Sequence, residues 1–495
     1  MVFLLFILFL PLFLLFLLQK HWLHRNVHLP PGPRGLPLVG SLHQIISSNP
    51  PLYLWRLSKK YGAIMSLKLG LVPAIVISSA KLAKEVLTAQ DKIFCSRPQL
   101  LGQHKLSYNG LDLAFAPYGA CWRETRKVCD VHLFNSRRVQ SFRSIREEEV
   151  SRMMEKISKS DAITNLSKEM MCLSSTIICR VAFGKRYENE ENERNGFKEM
   201  LKETQAMLGT YFASDHFPFI GGLIDRLTGL IARLEKNFIE MDMFWQVLID
   251  DHLDPKRPKP AQEDILDILL QIWKDGGSNI QLTWDHIKGV LMDIFIGGTD
   301  TTAASVTWAM TFLMKNPRIM KKAQEEVRNL CGNKGFVNED DVQNLPYLKA
   351  VVKETLRLQP VDPLLIPRET MQSCKLDGHD IPVKSIVYVN AWAIGRDPEA
   401  WENPEDFNPD RFIDSYIDLK GQDFGLIPFG AGRRICPGMN MGIAIVHIAL
   451  SNLLYKFDLE LPAGMTREDL DFEMLPGIAM HKKNDLCIVT KDHIL

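Results

Sequence analysis

Cysteine is sparse in this chain, and its spacing does not suit metal or disulfide sites. Nine cysteines are scattered over 495 residues, their number is odd, and no two of them form a CxxC pair. A structural zinc site needs closely spaced cysteines, and the framework of a small secreted protein needs an even set. The pattern argues against both and favours a reducing compartment for the folded body.

The chain also lacks net charge and internal repeats. It carries 59 Lys and Arg against 59 Asp and Glu, whereas general nucleic-acid binders have a basic excess. The absence of repeats or of low-complexity tracts beyond the N-terminus argues against a string of modules. The length exceeds what one simple core usually fills, so the alternatives are two or three domains or one large fold around a buried cofactor.

A long apolar run occurs at the N-terminus, where residues 1–18 are all apolar. About 20 such residues span a bilayer. A cleaved signal peptide would begin with basic residues and end in small ones, and a buried core helix is the other alternative. We favour a transmembrane signal anchor, because no Lys or Arg precedes the run while Lys20 and Arg25 follow it on the expected cytosolic side.

The pattern of the remaining residues predicts a spacer followed by one α-rich body. Proline-dense residues 29–37 cannot continue a helix and predict a stiff spacer. Apolar runs predict short strands, and helical periodicity predicts long helices. The predicted strands lie at 74–77, 385–389 and 486–489, and the predicted helices at 137–158, 194–208 and 226–253. The predicted domains are an anchor (1–19), a linker and hinge (20–40) and a catalytic domain (41–495).

Residues 429–438, with the sequence FGAGRRICPG, are the most informative stretch. Glycines on both sides of Cys436 let the backbone fold tightly around a flat object. A thiolate needs positive charge or hydrogen-bond donors nearby, and we expect these from Arg434 and from amides beyond Pro437. Taken alone, a cysteine in such a turn is more often a small buried apolar residue.

A second informative stretch lies inside a long apolar helix. Gly297 and Gly298 each cost roughly 1 kcal/mol in a helix interior, which suggests close approach of something to the backbone. The hydroxyl of Thr301 can bond the carbonyl of Gly297, four residues earlier. Asp300 beside that hydroxyl predicts a proton relay. The alternative is a pair of packing glycines followed by a capping threonine.

Both stretches resemble the cytochrome P-450 family. Residues 429–438 are similar to its haem loop, FxxGxRxCxG, and residues 297–301 to its oxygen-activation motif. The resemblance implies a mainly α fold with small β-sheets, a triangular helical body with haem b between two helices. It makes Cys436 the iron ligand, assigns Phe429, Gly430 and Gly438 to the haem loop, and makes Asp300 and Thr301 catalytic.

Other motifs of the family occur in the expected order. By resemblance, the haem propionates bind Trp122 and Arg126 of a WxxxR helix, Arg368 of a PRE strand, and Arg434. Three further residues, Glu354, Arg357 and Arg411, resemble the ion network that supports the haem loop in this family. As a lone motif, ExxR is more often an ordinary solvated salt bridge, which contributes little.

The resemblance to plant microsomal members also implies a reaction. Such an enzyme inserts one oxygen atom of O2 into a small apolar or aromatic secondary metabolite, in the endoplasmic reticulum membrane. Its electrons come from NADPH through a flavoprotein reductase, and cytochrome b5 is a further candidate partner. Within plants the chain resembles the specialised-metabolism clan that includes aldoxime-oxidising enzymes. We expect an apolar substrate pocket lined by Phe115, Ile296, Leu364, Leu365 and Ile478.

Two other functions remain open from the sequence. One is an isomerase or dehydratase on the same fold that needs no reductase, although such relatives commonly lack the acid–threonine pair. The other is a haem protein without turnover, which would leave the glycine-opened helix unexplained. The presence of Asp300 and Thr301 favours the monooxygenase.

Overall fold

The computed structural model describes residues 28–46, 49–160, 163–186, 191–258, 260–276, 280–475 and 477–493. The predicted anchor at 1–19 and the first part of the predicted linker lie outside these residues. Within the described part of the chain, no helix combines the length and the apolar character that crossing a bilayer requires.

The described chain is mainly helical. Its first helices are α1 (Leu42–Ile46), α2 (Pro50–Tyr61), α3 (Ala80–Lys84), α4 (Asp91–Phe94), α5 (Leu101–Leu106), α6 (Ala120–Val128), α7 (Ser136–Ser141), α8 (Arg143–Ser158), α9 (Leu166–Phe183), α10 (Glu191–Gly209), α11 (Ala213–His216) and α12 (Gly221–Leu227). The later ones are α13 (Leu230–Leu253), α14 (Ile265–Asp275), α15 (Trp284–Lys315), α16 (Pro317–Cys331), α17 (Glu339–Gln343), α18 (Pro346–Leu358), α19 (Ala391–Ile394) and α20 (Met439–Lys456). Shorter helical turns lie at Glu85–Ala89, Cys129–Leu133, Pro409–Phe412 and Gly432–Arg434.

The central element is α15, which has 32 residues and so extends about 48 Å. Thr283 begins it with a capping box that includes His286, and Asn316 ends it directly before a proline. Most of its side chains are buried, because α9 packs along one side and α20 along another. This long buried helix forms one wall of the site described below.

The strands form three small sheets within the described residues. The first has the order β1 (Ile64–Leu69), β2 (Val72–Ile77), β7 (Ile386–Val389) and β4 (Arg368–Glu369). β3 (Thr164–Asn165), β9 (Cys487–Asp492) and β8 (Phe457–Glu460) form the second, and β5 (Cys374–Leu376) pairs with β6 (His379–Ile381). Arg368, one of the predicted propionate residues, lies on β4, the edge strand of the first sheet, where it pairs with Val387 of β7.

This architecture confirms the predicted class, mainly α with small sheets. The strands predicted at 74–77, 385–389 and 486–489 correspond to β2, β7 and β9. The helix predicted over 137–158 is divided into α7 and α8 at Phe142, whose ring is fully buried. Apolar periodicity continues across that break, so the sequence pattern does not reveal it.

Candidate active site

Cys436 lies in a tight loop directly before α20. Its backbone N–H donates to the carbonyl oxygen of Phe429 at 3.0 Å, which closes the loop. Gly430 and Gly432 have φ values of +69° and +68°, a region that residues with side chains disfavour. A Cβ on Gly432 would also lie 2.0 Å from the carbonyl oxygen of Leu87. Backbone conformation and packing together therefore require glycine at position 432.

Opposing influences act on the Cys436 thiol. Burial raises its pKa, whereas the backbone N–H groups of Gly438 and Met439 and the charge of Arg126 lower it. The carboxyl group of Asp362 adds to the rise. The pKa is raised overall, so a thiolate here needs a further positive charge, such as a metal ion. The amide donors are those that the sequence predicted beyond Pro437.

Arg126 is the cation whose charge lowers the pKa of the Cys436 thiol, whereas the sequence predicted Arg434 for this role. Arg126, on α6, reaches the loop through a 2.8 Å hydrogen bond to the carbonyl oxygen of Ile435. Arg434 is turned away and donates to the carbonyl oxygens of Cys95 at 2.8 Å and Ala116 at 2.6 Å. The sequence places Arg434 only two residues from the cysteine, but the backbone turn directs its side chain elsewhere.

The predicted propionate residues lie beside this loop. The indole N–H of Trp122 donates to the carbonyl oxygen of Leu113 at 3.0 Å. The guanidinium of Arg434 stacks 3.9 Å from the centre of the Trp122 ring. Arg368 bonds Asp91 at 3.2 Å and the carbonyl oxygen of Ala431 at 3.2 Å.

A further arginine, Arg97, lies near Arg368 and Arg434 and was not predicted from the sequence. It is buried and donates to the carbonyl oxygens of Ala114 at 2.8 Å and Pro367 at 2.9 Å. Burial and the charges of Arg434 and Arg368 lower its pKa. Burial and the charge of Arg368 likewise lower the pKa of Arg434 to about 9. These mutually repelling cations form a site suited to an anionic group.

Open space lies beside α15 and beside the cysteine loop, which form the two walls of the site. Gly297 is exposed in a stretch of α15 whose other residues are buried or partly buried, and a Cβ there would meet no atom within 4 Å. The same is true of Gly438 on the cysteine side. One turn into α20, a Cβ on Gly442 would lie 3.8 Å from the hydroxyl of Thr302, so the two helices approach closely there. A cysteine sulfur, buried cations and a glycine-lined space together fit haem, an iron-carrying flat group with two carboxylates.

Thr301 and Asp300 occupy different surroundings on α15. The Thr301 hydroxyl donates to the carbonyl oxygen of Gly297 at 2.6 Å, as the sequence predicts. The Asp300 side chain is only 4% exposed, and its Oδ2 lies 3.2 Å from Nε2 of His481. His481 was missed by the sequence analysis because it follows Asp300 by 181 residues.

The predicted pocket residues divide among different clusters of the core. Phe115 is buried in the main core, and Ile296 and Ile478 pack against that core. Leu365 packs with a second cluster, near Gly430, and Leu364 with a third. Their joint role in binding substrate stays a prediction.

One polar group of this region, Asp362, was missed by the sequence analysis. It directly precedes the loop that contains Leu364 and Leu365, and burial raises the pKa of its carboxyl group to about 7. Its charge also acts on Arg97 and Cys436.

The predicted ion network is buried. Glu354 and Arg357 on α18 form two hydrogen bonds of 2.6 and 2.8 Å, and neither side chain is exposed to solvent. Arg411 bonds the same carboxylate at 3.1 Å, and the backbone N–H of Asn408 bonds it at 2.8 Å. This carboxylate ties α18 to the turn at Pro409–Phe412.

The sequence matches the family model of cytochrome P-450 over residues 30–489. The chain belongs to the cytochrome P-450 family. Haem iron is accordingly its cofactor, and the electrons come from a redox partner. Membership also makes the protein an oxidoreductase of the monooxygenase type.

The relatives of this cytochrome P-450 include several plant enzymes. It is 52% identical over 478 residues to a 5-OH-xanthotoxin synthase of Pastinaca sativa, covering 94% of this chain and 93% of the relative. It is 50% identical over 477 residues to a 6,7,8-trihydroxycoumarin synthase of the same plant, with the same coverage. A 2-methylbutanal oxime monooxygenase of Manihot esculenta is 45% identical over 471 residues, covering 95% of this chain and 92% of that one. The predicted place among plant specialised-metabolism enzymes is confirmed.

Solved structures support the fold. A zebra fish cytochrome P-450 with abiraterone has a TM-score of 0.74 at 26% identity, covering 90% of this chain and 99% of that one. The same kind of protein with progesterone has a TM-score of 0.75 at the same identity. The helical body and small sheets are therefore those of the family.

Proposed function

We propose that this protein is a monooxygenase that hydroxylates a coumarin-type aromatic plant metabolite. The observation that carries the reaction class is the Cys436 thiol, whose pKa is lowered by the backbone amides of Gly438 and Met439. Room for a further group lies beside Gly438 and beside Gly297, whose carbonyl accepts the Thr301 hydroxyl. The substrate class is supported by relatives that are 52% and 50% identical and whose names describe hydroxylated coumarins.

The residues around this space would hold haem by complementary contacts. Cys436 would supply the iron ligand, and Arg97, Arg368 and Arg434 would face the propionates together with Trp122. When bound, haem supplies the oxygen chemistry, and its thiolate ligand promotes O–O bond cleavage. Buried guanidinium groups that lie near one another favour an anionic ligand, because the ligand relieves their mutual repulsion.

The chain itself contributes positioning and the control of protons. Thr301 is held by the Gly297 carbonyl, so its hydroxyl has a fixed direction beside the space. Apolar side chains such as Phe115 and Ile296 exclude water from the substrate. Asp362 offers a hydrogen-bond acceptor that can orient a hydroxyl group of an aromatic substrate.

Substrate class is tested in microsomes that contain the full chain and a plant NADPH reductase. Hydroxylated and methoxylated coumarins and 2-methylbutanal oxime are incubated with and without NADPH, and products are identified by mass. We expect a product one oxygen atom heavier from at least one coumarin, only with NADPH. The variant Cys436→Ala is the control for haem-dependent turnover.

The other outcomes of this experiment are informative. Turnover of the oxime instead of coumarins would assign the chain to the function of its 45% identical relative. Product formation without NADPH would support an isomerase or dehydratase, and haem binding with no conversion of any substrate would support a non-catalytic haem protein. The first result would overturn the proposed substrate class, and either of the last two would overturn the proposed reaction.

We further propose that residues 1–19 anchor the enzyme in the endoplasmic reticulum membrane, with the body from residue 41 in the cytosol. The supporting observation is the uninterrupted apolar run at 1–18. The electron donor is then a membrane-bound NADPH reductase, and cytochrome b5 is a second candidate donor. Sodium carbonate washing of microsomes tests this proposal: the full chain should stay in the pellet, and a chain lacking residues 1–19 should be released. Release of both would contradict it.

A further inference from the structure

The carboxylate of Asp300 is buried and incompletely bonded. Its Oδ1 has no hydrogen-bond partner among the described residues, and only its Oδ2 approaches a charged group, Nε2 of His481 at 3.2 Å. That distance suits an ion pair, although no aligned hydrogen bond is formed. A buried carboxylate without full hydrogen bonding depends on such a partner for its charge.

His481 is held in place by the backbone on both sides. The N–H of Met480 donates to the carbonyl oxygen of Val361 at 2.8 Å, and the Met480 carbonyl accepts from the indole of Trp308 at 3.1 Å. The carbonyl of His481 itself accepts from the N–H of Leu475 at 2.9 Å. Because Trp308 lies on α15 two turns after Asp300, these bonds hold the backbone at His481 beside the same helix.

The imidazole also reaches solvent, which the carboxylate does not. The His481 side chain is 24% exposed, against 4% for Asp300. The two lysines that follow it pair elsewhere: Lys482 with Asp471 at 2.9 Å and Lys483 with Glu473 at 2.7 Å. His481 is therefore the group of this loop that connects the buried acid to water.

We propose that His481 is a positioning residue through which Asp300 receives protons from solvent. In the imidazolium form, the N–H bond at Nε2 breaks and its proton moves to a carboxylate oxygen of Asp300. This leaves neutral imidazole and a carboxylic acid, and solvent then reprotonates the imidazole. The acid adjoins Thr301 on the same helix. The proposal rests on the proposed monooxygenase function, which consumes protons when one oxygen atom of O2 leaves as water.

The pair itself is tested without any substrate, by the C–O stretching frequency of the ferrous carbonyl complex of the full haem-loaded chain. This frequency responds to charges near the bound gas. We expect His481→Gln to shift it, and we expect no further shift when the same change is made in an Asp300→Asn background. No shift in His481→Gln, or an equal shift in both backgrounds, would overturn the pairing.

The matched control is His493→Gln. His493 also lies 3.2 Å from a carboxylate, that of Asp458, and its side chain is 29% exposed. We expect this variant to have the frequency of the wild type. A shift as large as that of His481→Gln would show a general effect of losing a histidine and would count against the proposal.

Proton delivery is tested by the amount of product formed per NADPH consumed, in H2O and in D2O. We expect His481→Gln to lower this yield about tenfold and to enlarge the solvent isotope effect, because water must replace a proton-transfer group. His481→Lys keeps a positive charge, but a lysine with a pKa of about 10.4 releases its proton poorly at neutral pH. It should restore the C–O frequency without restoring the yield.

The two proposals fail in different ways. If the wild type forms no oxygenated product, the proposed function fails, while the carbonyl frequencies still decide on the Asp300–His481 pair. If the wild type forms product and His481→Gln has the same yield and isotope effect, the proton route through His481 is wrong and the monooxygenase function stands. Restored yield in His481→Lys would reduce the role of His481 to charge alone and would also refute proton delivery.

Discussion

Glu354 and Arg357 are fully buried charges that depend on each other. Arg357 also donates to the carbonyl oxygens of Pro404 at 2.7 Å and Asp406 at 2.9 Å. Without Arg357, the buried Glu354 carboxylate keeps only Arg411 and the N–H of Asn408 as partners. Breaking a buried ion pair destabilises a protein by about 3–5 kcal/mol. We predict that Arg357→Ala lowers the thermal midpoint sharply and yields little haem-loaded protein, measured by circular dichroism and haem absorbance.

The control for this prediction is Lys321→Ala. Lys321 forms an ion pair four residues from its partner on α16, but both side chains are largely exposed. Exposed pairs contribute up to about 1 kcal/mol, so the midpoint should change little. Equal losses in the two variants would show that burial of the Glu354 pair is not what matters.

At the level of single residues, the sequence reveals what a local motif determines. Cys436 and the Thr301 bond to Gly297 depend on neighbours within a few positions, so spacing alone finds them. Arg97, Asp362 and His481 act only where distant segments meet, and an arginine or a histidine in an ordinary stretch gives no local signal. The direction of Arg434 likewise depends on the turn of the loop rather than on its distance from the cysteine in the sequence.

Among the elements, the cysteine loop requires glycine at position 432. We predict that Gly432→Ala destabilises the haem loop, because alanine at positive φ costs about 1–2 kcal/mol and its Cβ would also collide with the carbonyl of Leu87. The matched control is Gly464→Ala, which has φ +86° but open space around its Cβ. Thermal midpoints and haem content should fall further for Gly432→Ala than for Gly464→Ala. Equal losses would show that conformational strain alone, and not the contact with Leu87, limits this position.

The loop before α6 is joined to α15 by the partly buried carboxyl group of Asp293, which interacts with the buried carboxyl group of Asp112. Asp293 accepts hydrogen bonds from the N–H groups of Leu113 at 2.6 Å and Ala114 at 3.2 Å. Burial raises its pKa, and the charge of Asp112 raises it further; burial also raises the pKa of Asp112, to about 6. The pair therefore binds protons more tightly in the folded state than in the unfolded one.

The sign of the pH dependence follows from these raised values. Proton binding by Asp112 and Asp293 contributes to the free energy of unfolding. This contribution is complete below the unfolded pKa of about 3.9 and is lost as the pH rises through about 6 and above. We predict that Asp293→Asn, which keeps an acceptor for both N–H groups, gains stability relative to the wild type between pH 5 and pH 8. Thermal midpoints at the two pH values measure this gain. The exposed Asp340→Asn is the control, and a relative loss of stability at pH 8 would contradict the prediction.

The elements themselves were partly predictable. Apolar runs identified β2, β7 and β9, and periodicity identified the long helices, because both signals are local. The break between α7 and α8 was not predicted, since the apolar pattern continues through Phe142. Pairing of β2 with β7 joins residues about 310 apart, which no local pattern specifies.

For the whole molecule, the site is assembled from segments that are distant along the chain. Arg97, Arg368 and Arg434 come from three regions, and α15 supplies the opposite wall. The overall class follows from the sequence because the amounts of helix and strand are visible in it. The grouping of these three buried cations beside the cysteine loop depends on tertiary packing and becomes visible only in the structure.

The proposed chemistry depends on one sulfur, that of Cys436, as the ligand of the haem iron. The most direct measurement is the absorption spectrum of the ferrous carbonyl complex of the purified full chain. The wild type and the control Cys487→Ala should show the red-shifted Soret band that a thiolate ligand produces, and Cys436→Ala and Cys436→His should lack it. Persistence of that band without Cys436 would show that another group holds the iron, and a wild-type protein that binds no haem would rule out the proposed oxygen chemistry.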